Sequence, residues 1–111
     1  MHEWVKELPA EIMVCDDRGT VLEMNTCAVE LFEADGGINL LGTNLLDCHP
    51  EPSHSKLAGM LENPVSNALF FTEKGEKRFY FQSPWYQDGK YAGFVEISLP
   101  VSEELPHFKR G

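Results

Sequence analysis

Cysteine is scarce in this sequence and shows no pairing pattern. Cys15, Cys27 and Cys48 form an odd set without close spacing, which argues against a disulfide framework and fits a reducing compartment. Positive charge is also short. Nine Lys and Arg stand against 18 Asp and Glu, a net charge of −9, and such a surface repels phosphate backbones and anionic lipid. Nucleic acid and membrane are therefore not expected as partners. No apolar run approaches the roughly 20 residues that span a bilayer. The opening Met1-His2-Glu3-Trp4 lacks the basic and apolar regions of a signal peptide, so the expected location is the cytoplasm.

Catalytic constellations are missing too. There is no Gly-rich phosphate loop and no nucleophile elbow, because Gly36-Gly37 is an isolated pair. Cys48 and His49 are adjacent, and neighbouring side chains on a helix or strand diverge, so they make a poor nucleophile–base pair. The carboxylates are scattered through turns and helix faces. The expectation is a binding protein, not an enzyme.

What is present describes one domain. With 111 residues, 42% apolar and 24% charged, the chain can bury roughly two-thirds of its unfolded surface in a single core. Trp4, Val5 and Leu8 lie on one side of a short helix that Pro9 halts. Ile12-Met13-Val14-Cys15 and Val21-Leu22-Glu23-Met24, joined through Asp16-Asp17-Arg18-Gly19, read as a hairpin. Asn25 and Thr26 are good cap residues for a helix of about ten residues ending at Asp35-Gly36-Gly37. Short turns follow around Leu40 and Leu45. Ser53 then caps a helix whose stripe is Leu57, Met60 and Leu61, ending near Asn63-Pro64. From Ser66 the texture is β: Ala68–Thr72, Arg78–Gln82 and Tyr91–Ile97, with turns at Lys74-Gly75-Glu76 and Gln87-Asp88-Gly89, form a three-stranded meander. Helices between two runs of strands imply an α+β layer architecture with one antiparallel sheet.

That order, with Leu8 to Asn25 as opening strands and Trp85-Tyr86-Gln87-Asp88-Gly89-Lys90-Tyr91-Ala92-Gly93 as the closing hairpin, resembles the PAS domain family from about Leu8 to Ser102. The resemblance implies a five-stranded antiparallel sheet in the order 2-1-5-4-3 with short helices over one face. It divides the chain into an N-terminal helical flank (1–9), a PAS-like domain (10–102) and a C-terminal tail (103–111). It further implies a sensory or regulatory module, of the kind used in bacterial signalling, that binds a small molecule or a protein partner and relays a conformational change. Leu45-Leu46-Asp47-Cys48-His49-Pro50 is similar to a sub-group of the family with Cys-His-Pro before the central helix. Two departures stand out. Pro100-Val101-Ser102 occupies the place where signalling members often carry Asp-Ile-Thr, and no output segment follows before Lys109-Arg110-Gly111, so a chain of this extent would act in trans or by self-association.

The candidate ligand pocket comprises Leu57, Met60, Leu61, Leu69, Phe71, Phe79, Phe81, Phe94 and Val95, with Ser83, Gln82, Asn67 or Tyr80 as polar contributors. The alternative is that the aromatics simply fill the core, which would leave a dimerisation or adaptor module without a ligand. Cys48, His49 and His54 are the one local set able to ligate a metal or haem iron, giving a redox sensor as a further alternative. Their spacing matches no known zinc pattern, and the alternative is that Cys48 is a buried thiol and the histidines are surface or capping residues. Haem and flavin stay open without being favoured. Where haem-sensing members carry their ligand this chain has Leu57, one turn beyond His54, and no flavin-type Asn-Cys-Arg-Phe-Leu-Gln motif occurs. Trp4, Val5 and Leu8, together with the outer sheet face, are the expected homodimer interface.

Overall fold

A computed structural model describes residues 1–111. Five strands, β1 (Glu11–Asp16), β2 (Val21–Met24), β3 (Asn67–Glu73), β4 (Glu76–Gln87) and β5 (Lys90–Pro100), form one antiparallel sheet in the order β2-β1-β5-β4-β3. Helix α1 (Glu3–Lys6) precedes the sheet. Between β2 and β3 lie α2 (Thr26–Leu31), two 3-10 turns (Glu33–Asp35 and Gly37–Leu40), α3 (Leu45–Cys48) and α4 (Ser53–Glu62). The arrangement is the α+β, PAS-like architecture expected from the sequence.

Local chemistry sets these boundaries. Lys74 and Asp88, both at φ 52, precede Gly75 and Gly89 at φ 78 and 80, so each two-residue turn has the positive-φ pair that joins twisted strands without splaying them. Asn25 caps α2 through its side-chain oxygen, which accepts from Ala28 N at 3.0 Å. The helix is shorter than the ten residues expected, because Phe32 leaves helical geometry and the chain continues as 3-10 turns. Ser53 is the first residue of α4 and not its cap; Pro52 holds the cap position without a side-chain bond.

One core cluster joins Met13, Val21, Met24, Ala28 and Leu40 between the sheet and α2. A second joins Cys15, Leu61 and Phe94 beneath α4. Two features bring β1, β4 and β5 close at the Cys15 carbonyl. Trp85 Nε1 donates to Cys15 O at 2.9 Å, and Gly93, at φ 153, lies so near that carbonyl that a Cβ there would overlap it. No helix is long and apolar enough to cross a membrane.

Candidate functional site

Side chains alternate across a strand, and the observed register assigns each to a face. On the helix-facing side one row runs Met24–Met13–Glu96–Gln82–Asn67, the next Glu11–Ser98–Tyr80–Leu69, and beyond it Arg78–Phe71. The opposite side carries Ile12–Ile97–Phe81–Ala68 and Leu99–Phe79–Phe70.

A cavity of about 460 Å³ opens between the helix-facing side and the helices. Met13 and Cys15 of β1, Gln82 of β4 and Phe94, Val95 and Glu96 of β5 form its floor. Phe32, Asp35, Leu40, Leu45, Cys48, His49, Leu57 and Met60 form its walls and rim. The wall is placed by the first hairpin. Leu45 N donates to Gly19 O and Val21 N to Thr43 O, both at 2.9 Å. Asn44 donates to Arg18 O at 2.9 Å and accepts from Leu46 N at 2.8 Å, starting α3 where it must be to present Leu45, Cys48 and His49. His49 Nδ1 donates to Leu45 O at 2.6 Å; a carbonyl only accepts, so Nδ1 carries a proton, and in the neutral ring Nε2 is the acceptor.

Of the residues expected to line a pocket, Leu57, Met60 and Phe94 do so, with Val95, and Leu61 packs directly beneath with Cys15 and Phe94. Gln82 is the polar contributor; Asn67 is its register partner on β3, outside the wall. The remaining expectations need correction. Phe79, Phe81 and Ser83 alternate with Gln82 onto the far face, where Phe79 meets Phe70 edge to face at 5.7 Å between ring centroids and Ser83 Oγ lies 3.1 Å from Ser66 Oγ. Leu69 and Phe71 share the helix-facing side but are not among the cavity walls, and Phe71, packed on Tyr80, is 50% exposed. Cys48 is exposed, not buried. It and His49 meet at the cavity while His54 is not among the lining residues and its Nδ1 lies 3.4 Å from Glu51 Oε1, and nowhere do three or more His, Cys, Asp or Glu side chains gather as a metal site. Trp4 is 71% exposed and does not fold back on its own sheet; Leu8 is also exposed and Val5 half-buried.

Sequence reasoning overlooked the polar strip beside the cavity. Arg78 Nη2 donates to Ser98 Oγ at 2.9 Å, and Ser98 Oγ donates to Glu11 Oε1 at 2.8 Å. Glu11 and Ser98 are fully buried and Arg78 nearly so. Burial, reinforced by the neighbouring Glu96 charge, pushes the Glu11 carboxyl up to about 9, so at neutral pH it is a neutral acid in the sheet interior. Gln82 Nε2 donates to Glu96 Oε1 at 3.2 Å, where the strip meets the cavity. Burial also pushes the Cys15, Cys27 and Tyr80 groups up, leaving the Cys15 thiol in the floor protonated and inert. The signal for the strip was present in β5: Phe94, Glu96 and Ser98 sit at alternate positions and must share a face.

No family model matches the chain and no curated protein matches it. Solved structures do. The PAS domain of BvgS from Bordetella pertussis superposes with a TM-score of 0.65 at 17% identity, covering 89% of this chain and 82% of that one. The PAS domain of histidine kinase ThkA gives 0.63 at 23%, covering 80% and 96%. The Aer2 receptor from Vibrio cholerae, described as a dual PAS-heme oxygen sensor, gives 0.58 at 16%, covering 84% and 95%. Strand order, the helices confined to one face and these superpositions agree: the chain has the PAS fold.

Proposed function

We propose that this chain is a sensory or regulatory module that binds a small molecule between sheet and helices and relays the binding as a conformational change. The observation that carries the reading is the cavity itself. Its volume of about 460 Å³ falls within the roughly 300–1,000 Å³ usual for small-molecule sites, and mostly apolar walls with a few convergent polar groups are their usual chemistry. The kinase and receptor origin of the superposed PAS domains supports a signalling role. Cys48 and His49 both reach the cavity, but the His49 Nδ1 hydrogen bond goes to Leu45 O and none joins the two side chains, which favours binding over catalysis.

The route out starts at Glu96. Its charge acts on Glu11, which opens β1, and Asn25 ties that end of the sheet to the flank by donating to Ala10 O at 2.8 Å and Val5 O at 3.1 Å. A ligand that favours one arrangement of this strip therefore biases how α1 sits. The flank, residues 1–9, carries exposed Trp4, and we assign Trp4, Val5 and Leu8 to contact with a second copy. Residues 10–102 are the folding unit of this reading and 103–111 its tail.

Haem and flavin suit the cavity poorly. Both are anionic through carboxylates or phosphate, whereas Asp35 and Glu96 are the charged groups in the walls and no Lys or Arg joins them. His49 and Cys48 both reach the cavity, but nowhere do three or more His, Cys, Asp or Glu side chains gather to hold a metal ion. Native mass spectrometry of freshly purified protein beside its denatured mass tests the proposal. Extra mass that vanishes on denaturation and is lost in Leu57→Trp supports it, visible absorbance would restore the haem or flavin reading, and a bare dimer would favour an adaptor with an empty core.

A further inference from the structure

Four polar side chains face the cavity, and existing contacts set the hydrogen-bonding roles of Gln82 and His49. Glu96 and Asp35 are carboxylates. Gln82 must turn its amide nitrogen to Glu96, because a carboxylate accepts and cannot donate; this leaves the Gln82 carbonyl oxygen to be met by a ligand. His49 has committed its Nδ1 proton to Leu45 O and keeps Nε2 as an acceptor. The donors that remain are one N–H of Gln82 and the weak thiols of Cys15 and Cys48. Arg78, on the same side of β4, spends its guanidinium on Ser98 and Glu76 and is absent from the walls.

We propose that the cavity takes a small organic cation, an amine with an apolar body, whose nitrogen sits at the Gln82–Glu96 corner while the body lies against Met13, Phe94, Leu57 and Met60. This deepens the ligand-binding reading above and rests on it. An ammonium brings two or three donors to a site that holds mainly acceptors, and its charge is matched by a partly desolvated carboxylate, where such pairs are strongest. A carboxylate or phosphate ligand would face Glu96 with no cation between them, and like charges in a cavity repel strongly. The neighbouring Glu11 sharpens the corner. Neutral at pH 7, it leaves a single negative charge at Glu96 instead of a pair. The net charge of −9 also raises the local concentration of cations.

Nitrogen-15 NMR titration of the full chain tests the inference with three probes that share one ring: tryptamine, indole-3-propanol and indole-3-propionate. Tryptamine is expected to bind at least about tenfold more tightly than the propionate, since a charged hydrogen bond commonly amounts to a tenfold effect or more. Glu96→Gln should weaken tryptamine by roughly the same factor and leave indole-3-propanol unchanged, while Leu57→Trp should block all three. Propionate binding as well as tryptamine, or tryptamine indifferent to Glu96→Gln, overturns the amine inference and leaves the cavity reading standing. Failure of all three probes, or binding indifferent to Leu57→Trp, overturns both. Should Glu96→Gln fail to fold by its own spectrum, the amine-to-propionate ratio on the natural chain decides.

Discussion

Val21 and Leu57 both lie in the layer between sheet and helices, yet Val21 is sealed in a filled cluster and Leu57 walls a void. The difference lies in how each helix is attached. α2 follows β2 with no linker, its cap Asn25 being also bonded to Ile12 N, Ala10 O and Val5 O, so its apolar side is pressed onto β1. α4 comes after the Pro50-Glu51-Pro52 stretch, and of its stripe only Leu61 is buried. The Asn25 bonds hold α2 down on the packed side, whereas α4 makes no hydrogen bond to the sheet, which leaves room for a ligand on the other.

The largest effect should come from the point where the two sides are pinned. Gly93→Ala places a methyl against the Cys15 carbonyl at a backbone angle that L side chains rarely adopt. We expect a loss of at least about 3 kcal/mol in denaturant unfolding, and a mild loss would break the claim that this approach is tight. Asn25→Ala leaves Ile12 N and Ala28 N without acceptors in the interior, at a cost of about 2–3 kcal/mol, and it should loosen α1 as read by faster amide exchange at Leu8.

The polar strip predicts a pH effect. Glu11 is about 9 in the folded chain against an ordinary value near 4.5, so the folded state holds a proton that the unfolded chain releases. Stability from this group is full below pH 4.5 and declines as pH rises toward 9, by up to about 1.4 kcal/mol per pH unit. Glu11→Gln removes that decline. The variant should gain on the natural chain between pH 5 and pH 9, and parallel stability profiles would show Glu11 to be ionised when folded.

The smallest effect is the most direct contrast. Val21→Ala in the filled cluster should cost about 2 kcal/mol, whereas Leu57→Ala, though it removes more atoms, should cost about 1 kcal/mol because no tight packing is lost around it. Equal costs would mean that the two sides are packed alike.

Much of the fold was legible from sequence because its signals are local. Lys74-Gly75 and Asp88-Gly89 mark hairpin turns, Asn25 marks a helix start, and the ordered set of elements resembled the PAS family. The site was legible only in part. Hydrophobicity identifies a sheet's inner face when one face is polar, but here Ile97, Leu99, Phe79 and Phe81 lie outside while Glu11, Ser98 and Arg78 lie within. Apolar residues alone therefore assigned Phe79 and Phe81 to the wrong face. β4 was read as ending at Gln82 and runs to Gln87 through Pro84, which the strand tolerates opposite Phe94. The cavity depends on how far α3 and α4 stand from the sheet, a distance set by the ties at Gly19 and Asn44 and not by any residue pattern.

The methionines allow the central claim, a ligand-accessible void beside a filled core, to be tested in one experiment. Met60 lines the cavity from α4 and Met13 from the boundary, being also a member of the filled cluster, while Met24 lies in that cluster without reaching the cavity wall. Under xenon, which enters apolar cavities, methyl NMR should show Met13 and Met60 shifting and Met24 still. Silence at all three, or equal movement at all three, would contradict the account.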